Sequence, residues 1–201
     1  MDLPADLSLP LERGAPWWYW LGGRPALDFT NTFRERWNRC VETLVTGADL
    51  GEWLVQAQLL DTVPPVTGPA LERARELREA INDGVVAALA GEPVPEHTLE
   101  ALAAALPHAA RAEAVVRVDG TLALVPAPPA DPVAHALGLV ARDAVEMFGA
   151  ADRIRVCASD TCSARFFDRS PTGNRRWCSI RGCGNVEKAR RHRRRQQETR
   201  T

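Results

Sequence analysis

Apolar positions recur at helical spacing along the first two thirds of the chain, with one break in period. Leu71, Ala74, Leu77, Ile81, Val85 and Ala88 fall on one side of a 3.6-residue repeat, with Arg and Glu between them. They predict a helix that begins at Pro69, a residue suited to a first turn, and ends at Gly91. Leu50, Trp53, Leu54 and Leu60 predict an earlier helix over 48–60, with Asp49 near its start, and a proline-rich loop from Thr62 to Pro69. An alanine-rich stretch predicts a short helix over 95–106. The period then changes. Glu113 to Val125 is two short apolar runs about Asp119-Gly120, a dipeptide that tolerates positive φ at both positions and predicts a β-hairpin. After a linker over Pro126 to Pro132, Asp131 is placed to cap a helix. Val133, Leu137, Val140, Ala144 and Phe148 form its stripe, and Gly149 ends it.

The segments flanking this helical region read differently. Residues 1–16 are rich in proline and predicted to be irregular. Trp17, Trp18, Tyr19 and Trp20 cannot all face one side of an element and are expected to wedge between elements. In Leu21 to Phe33, Gly22-Gly23 is a turn and Pro25 sets an extended entry. Asp28, Asn31 and Thr32 then stand among Leu27, Phe29 and Phe33. Buried polar groups need partners, since an unpaired one costs about 1–3 kcal/mol. These three residues therefore either cap a helix and tie a turn, or line a polar ligand-binding pocket.

Charge divides the chain. Residues 151–201 carry 14 Lys/Arg against 5 Asp/Glu, and residues 1–150 carry 11 against 21, although the net charge is −1. Such a split predicts two joined functional regions. With 45% hydrophobic residues a core can form. No run reaches the roughly 18 apolar residues of a membrane helix, and the acidic, proline-broken start lacks the features of a signal peptide. A cytoplasmic protein without membrane association is expected. There thiols stay reduced, and clustered cysteines favour metal over disulfides.

Four of the five cysteines fall in two equal pairs, Cys157/Cys162 and Cys178/Cys183, each C-x4-C, with 15 residues between them. Two close pairs separated by a hairpin-sized insert match a closed four-cysteine zinc site. Four protein ligands leave no open position, so the one zinc ion expected is structural rather than catalytic. Strands are expected at Ile154 to Cys157, Arg165 to Asp168 and Arg175 to Cys178, with Ser170 to Asn174 as a turn. Cys40 stands alone and is expected to be a buried small hydrophobe. His97, His108, His135 and His192 show no catalytic or metal spacing, and no phosphate loop or nucleophile elbow is present. The chain is therefore not expected to be an enzyme.

The last cysteine leads into Asn185, expected as an N-cap, and then a helix with almost no apolar face. Four thiolates and a zinc ion reduce the local surplus only from +9 to +7, enough to attract a polyanion. DNA is the expected partner, with Arg169, Arg175, Arg176, Lys188, Arg190, Arg191, Arg194 and Arg195 as phosphate contacts. An acidic protein partner and a solvated tail are the competing explanations of this charge.

The stretches C-x4-C, R-R-W-C-S-I-R-G-C-G-N and K-A-R-R-H-R-R-R, together with L-D-F-T-N-T and D-L-G-E-W-L, resemble bacterial CGNR zinc-finger proteins with an N-terminal ABATE domain. The resemblance spans nearly the whole chain. It implies that Cys157, Cys162, Cys178 and Cys183 are the zinc ligands, that the finger binds DNA, and that the ABATE domain senses a small molecule. It further implies stress-induced transcription regulation. In one place the chain departs from the motif: Val186 stands where CGNR has its arginine. The fold expected is α+β: an irregular segment over 1–16, a mainly helical domain with a hairpin over 17–150, and a treble-clef-like or ribbon-helix zinc module over 151–201. The N-terminal domain would sense a ligand or form a homodimer. The alternatives are an RNA- or ribosome-associated zinc protein, and an enzyme with its site in the acidic domain.

Overall fold

The computed structural model describes residues 18, 20–36, 40–159 and 162–198. The expected irregular segment, together with Trp17 and Tyr19, lies outside the described residues. The chain packs as two compact units: Leu44–Gly149, and Met1–Thr43 with Ala150–Thr201. Among the described residues no helix is long and apolar enough to cross a membrane.

The Leu44–Gly149 unit is built on helices α2 (Gly47–Gln56), α3 (Gly68–Ala90), α4 (Glu96–Ala105) and α5 (Pro132–Phe148). Thr46 and Asp49 cap α2 reciprocally. The Thr46 hydroxyl accepts from the Asp49 N–H, and the Asp49 carboxylate accepts from the Thr46 N–H at 2.6 Å. This helix ends earlier than the apolar spacing suggested. Gln58 takes a left-handed φ of 60° and the Leu59 N–H turns back to the Leu54 carbonyl, a Schellman closure that leaves Leu60 outside the helix. The α3 stripe lies as expected: Leu71, Ala74, Leu77, Ile81 and Val85 are buried, and Gly91 closes the helix at φ 73°. Trp53, Leu54, Ile81, Val85, Val140 and Met147 are fully buried and form the centre of this core. At Gly84 a Cβ would lie 2.6 Å from Cζ of Phe148, so the missing side chain lets α3 and α5 approach. The turn over Leu106–Ala109 crosses α5 at Gly138, where a Cβ would meet the Ala109 nitrogen at 2.5 Å. Buried His135 bonds through Nδ1 to the His108 carbonyl at 2.8 Å and accepts from Arg111 Nε at 3.1 Å. The hairpin forms from β3 (Glu113–Val118) and β4 (Thr121–Pro126).

The other unit joins the described residues up to Thr43 to those from Ala150. It contains α1 (Pro25–Thr30), the pair β1 (Phe33–Arg34) with β2 (Val41–Glu42), the antiparallel pair β5 (Ile154–Val156) with β6 (Arg165–Phe167), and α6 (Asn185–Glu198). Pro25 occupies the first turn of α1, so the extended conformation falls on Arg24 before it. Trp18 is buried and donates from its indole to the Thr43 hydroxyl at 3.1 Å; Trp20 is exposed. Two expectations change here. Residues 175–178 form no strand; among the described residues the return of the chain is held by the Ala158 N–H bond to the Arg176 carbonyl and the Arg175 N–H bond to the Asp168 carboxylate, both at 2.8 Å. Cys40 is exposed, not buried, at φ 52°, with its thiol near the Arg36 carbonyl.

Candidate metal centre and nucleic-acid interface

The four C-terminal cysteines converge. Cys157 follows β5, and its N–H bonds the Ala164 carbonyl just before β6. Cys178 sits beyond the turn, and Cys183 lies in a π-helical turn, Ile180–Gly184, that runs without a break into α6. All four Sγ atoms lie within 4.8 Å of one another. Cys162 and Cys183 each stand 3.8 Å from Cys178. A tetrahedron of sulfurs at about 2.3 Å from a central zinc ion has an edge of about 3.8 Å. A disulfide would instead need about 2.05 Å. The cluster thus has the size of a zinc tetrathiolate.

The clustered thiols also shift one another. Hydrogen bonds from Cys162 and then Cys178 hold the Cys157 thiol down at about 2, against its burial. The same bond to Cys157 pushes Cys162 up to about 12. Cys178 is raised, first through its bond to Cys157, and Cys183 is raised, first by burial.

A small core supports the cluster. Cys157, Phe166 and Cys178 are buried together, with Leu21, Ala164 and Trp177 packed against them. The Arg175 guanidinium lies 5.0 Å over the Phe166 ring and donates to the Cys178 carbonyl at 2.8 Å. Buried Asp168 organises the turn over 170–174, accepting from the Ser170 N–H at 2.9 Å and the Arg175 N–H at 2.8 Å. Burial works against its charged form, but Ser170 and then the N–H and charge of Arg175 hold its carboxyl below the usual range. A depressed folded pKa stabilises above the unfolded value near 3.9, and that contribution is lost as pH falls through the folded value. Asp168→Asn is expected to lower unfolding free energy by about 1–3 kcal/mol at neutral pH. Denaturant unfolding should show a constant difference from about pH 7 to 5 that narrows below about pH 4.

The L-D-F-T-N-T stretch packs on this module. Asp28 Oδ1 accepts from the Gly22 N–H at 2.7 Å, and the Gly22 carbonyl accepts from the Phe167 N–H at 2.8 Å. The Asn31 carboxamide brackets β6: it accepts from the Arg165 N–H and donates to the Arg165 carbonyl, both at 2.9 Å. It therefore stands in for a neighbouring strand. Thr32 bonds the Phe29 carbonyl. Of the three ligand candidates only Asn31 borders the cavity of about 360 Å³ beside the cysteines, which Leu21, Phe33, Ala164, Cys183 and Val186 also line. Val186, in the position of the motif's arginine, forms part of an apolar wall. Asn31→Ala is expected to destabilise the zinc module by about 1 kcal/mol or more, because it leaves two part-buried backbone groups of Arg165 without their partner. Zinc release monitored during denaturation checks this; an unchanged midpoint would deny the bracing role.

Helix α6 starts differently from the expectation. Ser179, not Asn185, is the cap, its hydroxyl accepting from the Gly182 N–H at 3.0 Å, while the Asn185 amide bonds back to the Arg181 carbonyl. The basic residues fall into two groups. Lys188, Arg191, Arg193 and Arg195 are exposed along α6, and Arg176 is exposed over the Trp177 ring. Arg169 donates to the Gly23 carbonyl, Arg175 is engaged as above, and Arg190 pairs with Glu187 at 3.0 Å; Glu187 also accepts from Ser159. The side chain of Arg194 lies outside the described residues.

A family model described as "Putative stress-induced transcription regulator", ABATE, matches residues 23–151, and one described as "CGNR zinc finger" matches residues 153–196. No curated protein matched the chain. The finger match and the four clustered thiols together support zinc binding. The Asn31 bracket thus comes from the ABATE segment and closes on the CGNR segment within one compact unit. The chain belongs to the ABATE family and carries a C-terminal CGNR zinc finger.

Proposed function

We propose that this protein is a DNA-binding transcription regulator, acting in the cytoplasm under stress, whose zinc module presents α6 to the phosphate backbone. One zinc ion would be held by Cys157, Cys162, Cys178 and Cys183, offsetting the thiolate charge and closing the two turns. The observation that carries this reading is that Cys183 lies in a turn continuous with α6. Fixing the metal therefore fixes a row of exposed basic side chains. Lys188, Arg191 and Arg195 recur at i, i+3 and i+7, about 10 Å along one face. Their electrostatic contact would position the protein, and Arg176 beside the helix start would extend the contact. Of the aromatics Phe166, Phe167 and Trp177, Phe166 is fully buried and the other two are half-buried with arginines over their rings, which favours DNA over stacked single-stranded RNA.

The region over 17–150 takes the sensing role, and 151–201 the DNA-binding role. The cavity lined by Leu21, Phe33 and Val186 is the place for a largely apolar small ligand, next to Cys183 and the start of α6. A ligand there would act on the helix through contact rather than catalysis. The test is selection of bound fragments from a random DNA pool, with zinc content measured on the same preparation. The expected result is enrichment of a duplex sequence and affinity that falls steeply with salt. Equal retention of all fragments with no salt dependence would refute the reading.

A further inference from the structure

The β3–β4 hairpin presents an apolar face that the fold does not cover. Val115, Leu124 and Leu122 are 66%, 63% and 72% exposed. They lie on one face, because Val115 pairs with Leu124 and Arg117 with Leu122. The sheet has only two strands, so both outer edges are open. A two-stranded hairpin is marginal alone, and an open edge is a template for another strand. We propose that β3 pairs edge to edge with β3 of a second copy of this chain, making a four-stranded sheet about a two-fold axis at Val115.

The hydrogen-bonding parity of β3 selects its edge. Asp119 and Gly120 both have positive φ, 49° and 82°, so the hairpin closes on the bonded pair Val118–Thr121. Alternation then directs the backbone groups of residues 118, 116, 114 and 112 toward β4. The Ala127 N–H bonds the Ala112 carbonyl at 2.8 Å, in phase with this. Glu113, Val115 and Arg117 are left facing outward. On the opposite edge the outward positions are Leu122, Leu124 and Pro126, and Pro126 has no N–H to donate. The edge of β4 is blunted and that of β3 is not.

Charge then selects the register. With Val115 opposite Val115 of the partner subunit, the outward groups of both strands meet in bonded pairs. Glu113 falls opposite Arg117 of the partner subunit, twice by symmetry. A slip of one residue sets outward groups against inward ones. Symmetric registers two residues away place Arg117 opposite Arg111 of the partner subunit, or Glu113 opposite Asp119 of the partner subunit, pairs of like charge. The sequence E-A-V-V-R is thus self-complementary in one antiparallel register. In that register the row Leu124, Val115 continues into Val115 and Leu124 of the partner subunit, doubling the apolar strip.

Mass measurement of the zinc-loaded full chain over a concentration series tests this. The expected species is a dimer. Glu113 and Arg117 are exposed, so reversing either charge leaves the hairpin able to form. Glu113→Arg and Arg117→Glu should each weaken dimerisation at least about tenfold, since each creates two like-charge pairs. An equimolar mixture of the two variants should form a heterodimer, and the double variant should dimerise again as a homodimer. A wild-type monomer at about 100 μM, a scale typical of weak association, would overturn the proposal. So would a dimer indifferent to both reversals, or variants whose mixture stays monomeric.

Discussion

Substituting Cys178 by serine is expected to lower zinc affinity by at least about a hundredfold and to unfold the C-terminal module. Cys178 stands 3.8 Å from both Cys162 and Cys183 and is buried in the small core with Cys157 and Phe166. Structural zinc contributes roughly 10–16 kcal/mol to the folding of small finger peptides, so one bond in four is about 2.5–4 kcal/mol. That corresponds to roughly a hundredfold to a thousandfold in affinity. The true loss should be larger, because β5–β6 is only a three-residue pairing and α6 has few apolar contacts of its own. Zinc content after dialysis, and competition with a chromophoric chelator, measure it. The Leu44–Gly149 unit contains no cysteine, so most of the helical signal should persist while the module melts. Stoichiometric zinc in the variant would remove Cys178 from the ligand set.

Neutralising Lys188, Arg191 and Arg195 to glutamine should weaken DNA binding by several hundredfold at about 0.1 M salt. Each phosphate contact contributes about 0.9 to the slope of log affinity against log salt, hence about 0.9 of a decade at that concentration. Three contacts give a slope shallower by nearly 3. These side chains are exposed on α6 and bury no core, so zinc content and melting temperature should not move. Arg175→Gln is the contrasting case. Its guanidinium covers Phe166 and bonds the Cys178 carbonyl, so its loss should appear in zinc retention before it appears in the salt slope. If the triple variant keeps the wild-type slope, α6 is not the phosphate-binding surface.

The helices of the Leu44–Gly149 unit were legible because their cores are written in local periodicity. The α3 stripe, its glycine stop, the hairpin at Asp119-Gly120 and the Asp131 cap all depend on residues a few positions apart. Where the apolar pattern ran past the true end, as in α2, a left-handed Gln58 decided the boundary, and no composition signal marks that residue. Asn185 read as a cap for a similar reason. A good capping residue beside a helix is persuasive until the π-helical turn around Cys183 moves the cap back to Ser179. No strand forms over 175–178: the Arg175 N–H is taken by the Asp168 carboxylate, and Arg176 accepts a backbone bond from Ala158.

The sequence alone determined the cysteine spacing, the helical stripes, the hairpin turn and the concentration of basic charge after Cys183. These are local or compositional, and local sterics and charge act on them without a tertiary scaffold. Tertiary structure alone decided where the N-terminal motif makes its hydrogen bonds. From the sequence, Asp28, Asn31 and Thr32 favour capping a helix or tying a turn over lining a pocket. Asn31 and Arg165 are 134 positions apart, and only folding shows that one carboxamide satisfies both backbone groups of the other residue. It also decided which arginines stay exposed along α6 and which, like Arg175, are drawn into the module. Burial and long-range hydrogen bonds depend on what packs nearby, which no spacing along one segment encodes.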